Sequence, residues 1–145
     1  KEKISMPEDR IFVDTNILIY AYDVTAGQKH AIASNILADL WNARLGVVST
    51  QVLQEFYVNV VHKIQRPIDI RLAKDIVRDL LKWHIVVNNG ESILEAIDIH
   101  ERYGYSFWDA MIIAAAIKGG AAVLMTEDLQ DGQTIGGVSI KNPFD

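Results

Sequence analysis

The stretch Arg10-Ile11-Phe12-Val13-Asp14-Thr15-Asn16 runs from a β-branched and aromatic segment into three polar residues. Ile11–Phe12–Val13 has the length and composition of a buried strand, and Asp14 ends it. Asn16 to Tyr22 follows at once with helical character. A strand that closes on a carboxylate and passes straight into a helix is the opening of a β–α unit.

The same alternation continues outward. Gln28 to Ala43 spaces Ile32, Ile36, Leu37, Leu40 and Trp41 with the helical period, and Gly46 is expected to stop that helix. Val47–Val48 reads as a second strand. Ser49 or Thr50 can cap a helix that carries Val52, Leu53, Phe56, Tyr57 and Val60. Pro67 breaks the chain, and Asp69 can cap a helix reaching Leu81. Ile85–Val87 is a third strand, Glu91–Tyr103 a helix, and Ser106 opens another helix that ends at Gly119–Gly120. Ala122–Met125 and Val138–Ile140 complete the strands. Strands that alternate with helices pair in parallel through right-handed crossovers. The expected fold is therefore a single three-layer α/β/α domain with a central, mostly parallel sheet of four to five strands. It occupies the whole chain of 145 residues. Residues 1–9 are expected to be a flexible or added segment. The sequence leaves open whether Met6 or an upstream residue is the natural start.

Four acids fall near one edge of that sheet. Asp14 follows the first strand, and Asp128 follows the fourth in Thr126-Glu127-Asp128. Glu55 lies in the opening turns of the helix after the second strand, and Asp109 in the first turn of the helix after Ser106. Parallel sheets place their sites at the carboxyl ends of strands. Asp109 is the most telling, because Phe107-Trp108-Asp109-Ala110-Met111-Ile112-Ile113 is otherwise apolar and a buried lone carboxylate is costly. Plainer roles stand beside this one. Asp109 can share a capping box with Ser106, Asp14 and Asp128 can cap or turn, and Glu55 can be a solvated helix residue. Packed carboxylates repel one another, and hard divalent cations such as Mg²⁺ or Mn²⁺ relieve that penalty through oxygen ligands. An all-oxygen acidic site of this kind suits phosphodiester hydrolysis.

Composition narrows the alternatives. Half the residues are apolar and 23% are charged, as in an ordinary globular protein. The absence of cysteine excludes a disulfide framework and a cysteine nucleophile, and it suits a reducing cytoplasm. The longest apolar run, Ala110 to Ile117, falls well short of the roughly 18 residues of a membrane span, so no membrane association is expected. Lys1 to Arg10 lacks the apolar core of a signal peptide. The net charge of −5 argues against non-specific coating of nucleic acid, yet it is compatible with an acidic pocket offset by cations. His30, His62, His84 and His100 are scattered, which disfavours zinc. No Gly-x-Ser-x-Gly elbow, Walker loop or dinucleotide fingerprint is present. Trp41, Trp83 and Trp108 are read as core or interface residues ahead of base-stacking platforms.

Val13-Asp14-Thr15-Asn16, Glu55, Phe107-Trp108-Asp109-Ala110 and Thr126-Glu127-Asp128, taken in order, resemble the PIN-domain nucleases. Ser106-Phe-Trp-Asp-Ala, Glu127-Asp-Leu-Gln-Asp-Gly-Gln133 and Asn142-Pro143-Phe144 look like the VapC-type toxins of bacterial toxin–antitoxin pairs. The resemblance spans Ile11 to Phe144. It implies a PIN-like fold and a Mg²⁺- or Mn²⁺-dependent endoribonuclease with Asp14, Glu55, Asp109 and Asp128 as catalytic and metal-binding acids. It also implies that Thr15, Asn16, Ser106 and Thr126 support the site. Asp131 is a candidate extra ligand, or else a turn residue. The implied partners are an RNA substrate, a cognate antitoxin and a second copy in a homodimer. Leu18, Ile19, Tyr22, Leu53, Phe56 and Tyr57 are candidates for an apolar antitoxin groove, or else for the core. Two other functions compete. A phosphatase with Asp14 as nucleophile would need its general acid at Asn16, which cannot serve. A non-catalytic binding protein with a vestigial acidic site would have little use for an intact acidic set.

Overall fold

In β1 (Arg10–Val13), Phe12 and Val13 are both fully buried. Successive strand side chains point to opposite faces, so this strand is covered on both sides. β2 (Gly46–Ser49) is buried along its whole length for the same reason. The computed structural model describes residues 9–145, so the expectation for residues 1–9 lies, apart from Asp9, outside the described residues.

Around these strands the chain adds α1 (Thr15–Tyr22), α2 (Gln28–Ala43), α3 (Thr50–His62), α4 (Ile70–Leu80), β3 (His84–Val86), α5 (Gly90–Tyr103), α6 (Phe107–Lys118), β4 (Ala121–Met125), β5 (Thr134–Ile135) and β6 (Val138–Lys141). The sheet order is β3-β2-β1-β4-β6-β5. Every neighbouring pair is parallel except β5–β6. The α/β architecture and mostly parallel sheet are those expected. Helix α1 packs on α2 and α3, α3 packs on α4, and α5 packs on α6. α6 carries a fully apolar buried run, Ala110–Ala116.

The sheet has one strand more than the four to five expected. β5 is only two residues long and pairs Ile135 with Val138 and Thr134 with Ser139 across Gly136–Gly137. Both glycines have positive φ, 56° and 83°. Consecutive left-handed residues make the two-residue turn that matches strand twist, and Gly-Gly is a signal for it. The run is too short to show a strand period, but the turn dipeptide marks it.

Two further expectations change. Gly46 does not stop α2. That helix ends at Ala43, with Arg44 as a left-handed cap at φ 59° and ψ 39°. Gly46 instead opens β2, where an added Cβ would lie 2.4 Å from the Trp83 ring. Glycine is needed there for close approach of an indole. Gly46→Ala is expected to cost about 1–3 kcal/mol by overpacking, read as a lower urea midpoint at unchanged slope. For Trp108 the core half of the core-or-interface reading drops out, since it is 64% exposed, whereas Trp83 is buried and Trp41 packs edge-on against it.

The parallel strands create a switch point. From β1 the chain moves to β2 and β3 on one side, then returns to β4 on the other. The carboxyl ends of β1 and β4 therefore flank the crevice where such sheets carry their ligands.

Candidate acidic site at the carboxyl edge of the sheet

Asp14 leaves β1 at that crevice and is 6% exposed. It caps α1 and is also the most buried of the four candidate acids. One carboxylate oxygen accepts from the Thr15 N–H at 2.7 Å, and the other accepts from the Thr126 hydroxyl at 2.8 Å. Both oxygens are thus fixed before any ligand arrives. Burial pushes the Asp14 carboxyl up to about 6; the bonds from Thr126 and Thr15 pull it down, and the charges of Asp128 and Glu55 push it up further.

The neighbouring acids are held by the residues that flank Asp14. Thr15 donates its hydroxyl to Glu55 at 2.7 Å, and Gln51 reaches the other Glu55 oxygen at 3.3 Å from one turn earlier in α3. Asn16 donates to Asp128 at 2.9 Å and to the Thr126 hydroxyl at 3.3 Å. Thr126 is fully buried, and its oxygen also accepts from the Asp128 N–H at 3.1 Å. The sequence Asp14-Thr15-Asn16 therefore serves as one acid and two clamps, one for Glu55 and one for Asp128. Asn16 is spent as a donor at the position where an aspartyl phosphatase requires its acid.

Asp109 stands apart from this network. Its N–H donates to the Ser106 hydroxyl at 3.1 Å, which makes Ser106 the cap of α6. The carboxylate itself is half-buried, and its charge helps raise the Tyr105 hydroxyl, after burial. Asp131 accepts from the Asn142 N–H at 2.7 Å and so ties the β4–β5 loop to the end of β6, as a turn residue does. Among the described residues no three acids or histidines converge as a ready-made cage for an ion. Asp14, Glu55 and Asp128 are joined through intervening threonine and asparagine rather than by direct convergence.

One cluster beside the site goes beyond what the sequence indicates. Glu127 accepts from Lys29 at 2.7 Å and from the Tyr20 hydroxyl. Lys29 lies 5.0 Å from the Tyr20 ring centre and 5.4 Å from that of Phe144, and the two rings meet edge to face. Burial opposes the Glu127 charge, but the bonds from Lys29 and Tyr20 outweigh it and hold the carboxyl below its ordinary value. This cluster pins Glu127, the residue between Thr126 and Asp128. Only its adjacency to Asp128 marks it in the sequence, since Lys29 and Phe144 are remote along the chain.

The sequence profile of the PIN domain matches residues 11–130, and the chain belongs to that family. Its fold is that of solved bacterial proteins. One is VapC20 of Mycobacterium tuberculosis, a toxin that cleaves the sarcin–ricin loop. It is 21% identical, with 79% of this chain and 86% of that one aligned at a TM-score of 0.60. Another is a toxin–antitoxin complex from Klebsiella pneumoniae, 20% identical, with 93% of this chain and 98% of that one aligned at a TM-score of 0.65. No curated protein matches the sequence at a significant level.

Proposed function

We propose that this chain is a metal-dependent endoribonuclease that hydrolyses RNA phosphodiester bonds, and that it serves in the cytoplasm as the toxin of a VapC-type toxin–antitoxin pair. The observation that carries the reading is Asp14. It is a buried carboxylate at the switch point of a PIN-domain sheet, flanked by Glu55 and Asp128 and clamped on both oxygens. An ionised acid in that position calls for a counter-charge, and its surroundings offer hard oxygen donors. Asp14, Glu55, Asp109 and Asp128 would hold Mg²⁺ or Mn²⁺. When bound, such an ion supplies an activated water and neutralises charge on the phosphate. Thr126 and the Thr15 N–H keep the Asp14 carboxylate from rotating. The Thr15 hydroxyl orients Glu55, Asn16 orients Asp128, and Ser106 fixes the helix turn that carries Asp109.

The antitoxin part of the proposal rests on an apolar groove. Of the six groove candidates, Leu18, Leu53 and Phe56 are core, and Ile19, Tyr22 and Tyr57 pack partly buried against it. Leu53 and Tyr57 also line, with Ile70 and Val77, a hollow of about 420 Å³ between α3 and α4. That surface would seat an apolar antitoxin segment. For a homodimer the support is the outer face of α5, where Ile93, Leu94 and Ile97 are each at least 45% exposed at helical spacing.

The test is cleavage of RNA by the purified chain in Mg²⁺ or Mn²⁺, with ends mapped by sequencing. Activity is expected to vanish in excess chelator and return with added metal. Full activity in chelator, or no cleavage of any structured RNA by the metal-loaded protein, would overturn the reading in favour of a binding protein.

A further inference from the structure

We propose that the hollow at the amino edge of β2 and β3 binds a nucleotide unit, an aromatic base together with its phosphate. This site is separate from the acidic one and does not rest on the nuclease reading. Gly46 opens β2 and His84 opens β3, whereas Asp14 and Asp128 follow the carboxyl ends of β1 and β4. A strand of that length puts about 10–13 Å between the two edges. The hollow has a volume of about 460 Å³, within the range of small-molecule sites.

Its lining is the reverse of the chain's overall charge. Acids outnumber Lys and Arg by 19 to 14 in the sequence. The hollow nevertheless collects Arg44, Lys82 and His84, and no acidic side chain lines it. Lys82 shares a 3.6 Å ion pair with Asp79, but both side chains are exposed and such pairs are weak. Arg44 is the only described residue other than glycine with positive φ. Glycine fills that left-handed cap at least cost, and a long side chain there opposes the backbone preference. The guanidinium that Arg44 carries instead is a planar, permanently charged donor suited to phosphate.

The remaining walls are two indoles, with Leu40 and Gly46 beside them. Trp41 and Trp83 meet edge to face with ring centres 5.5 Å apart. Trp83 lies on the bare Cα of Gly46 and is buried, whereas Trp41 is half-buried and keeps part of its surface free. The Trp83 indole N–H is buried without an acceptor among the described residues. Cations alone would fit any anion, and indoles alone any apolar ring. Their combination in one hollow fits a stacked base whose phosphate meets Arg44 and Lys82. The nucleotide could come free or as part of an RNA strand, and the shared chemistry is the same.

The experiment uses the full chain carrying Trp108→Phe, so that Trp41 and Trp83 are the fluorescent reporters. Adenosine monophosphate is titrated in one arm and a short 2′-O-methyl RNA oligonucleotide, which resists hydrolysis, in the other. Saturable quenching is expected in at least one arm. A response to the monophosphate assigns a free nucleotide, and a response to the oligonucleotide alone assigns the strand. Arg44→Gly is expected to weaken that binding by roughly tenfold, the loss of one charge-assisted contact, with no fall in Tm because glycine suits the cap. Lys82→Ala is expected to weaken it as well. No saturable change in either arm up to millimolar ligand overturns the proposal. Binding that survives both Arg44→Gly and Lys82→Ala unchanged also overturns it.

Discussion

Asp14→Asn is expected to reduce RNA cleavage by on the order of 10²–10³ and, without divalent cation, to make the protein more stable at neutral pH. Both effects come from one property of the site. The folded carboxyl titrates near 6 against 3.8 in the unfolded chain. Between those values the folded state holds the proton that the unfolded state has lost. Stability therefore falls as pH rises through this window, and the penalty is fully present above about pH 6. A rise of that size in the folded state corresponds to roughly 3 kcal/mol, so removing the charge should recover about 1–3 kcal/mol once imperfect bonding is allowed for. Asparagine can keep most of the local bonds. Its carbonyl can accept from the Thr15 N–H, but both lone pairs of the Thr126 hydroxyl already serve Asn16 and the Asp128 N–H, so its amide can donate there only by displacing the long 3.3 Å bond from Asn16. The gain should appear in urea unfolding above pH 6 with chelator and shrink toward pH 4. Mg²⁺ or Mn²⁺ should stabilise the native chain and leave the variant nearly unmoved. A variant that is less stable at every pH, or as active as the native chain, would show that Asp14 is a cap and nothing more.

Much of this site can be read in the sequence because strand ends are legible. Ile11–Phe12–Val13 is too apolar to stop except at Asp14, and Ala122–Met125 likewise stops at Thr126. Two parallel strands that end in polar residues at the same edge bring those residues together when they are neighbours, as the structure shows β1 and β4 to be. The supporting role of Thr15 and Asn16 follows from adjacency, since the turn into α1 presents both. Other features depend on contacts between remote residues. Lys29, Tyr20 and Phe144 converge on Glu127 only after α2 and the C-terminal segment have packed. Gly46 reads as a helix stop because its partner, Trp83, is many residues away, and the actual helix end sits on an arginine that a Gly-based rule passes over. Leu18 and Phe56 suit a groove or the core equally well, because amphipathic spacing shows which face is apolar but not what covers it. The short strand β5 lies below the length at which alternation can be seen, though its Gly136–Gly137 turn is in plain view.

Thr126→Val should be the most damaging isosteric change in the site, costing roughly 2–5 kcal/mol at neutral pH and removing most cleavage. The shape is conserved, so no cavity forms and the loss is one of hydrogen bonding. Thr126 is fully buried and serves three partners. It donates to Asp14, and it accepts from Asn16 and from the Asp128 N–H. Without the hydroxyl the Asp14 carboxylate keeps only the Thr15 N–H, and its titration moves higher still. The variant should therefore lose most stability where Asp14 is charged and least near pH 4, where a protonated Asp14 no longer needs a donor. Thr126→Ser should restore much of the loss, because it returns the hydroxyl. The double variant Asp14→Asn with Thr126→Val should be less unstable than the two single effects would sum to, because Asp14→Asn removes the charge that Thr126 serves. Additive effects in that cycle, read from urea midpoints above pH 6, would mean that Thr126 acts on the fold independently of the buried carboxylate.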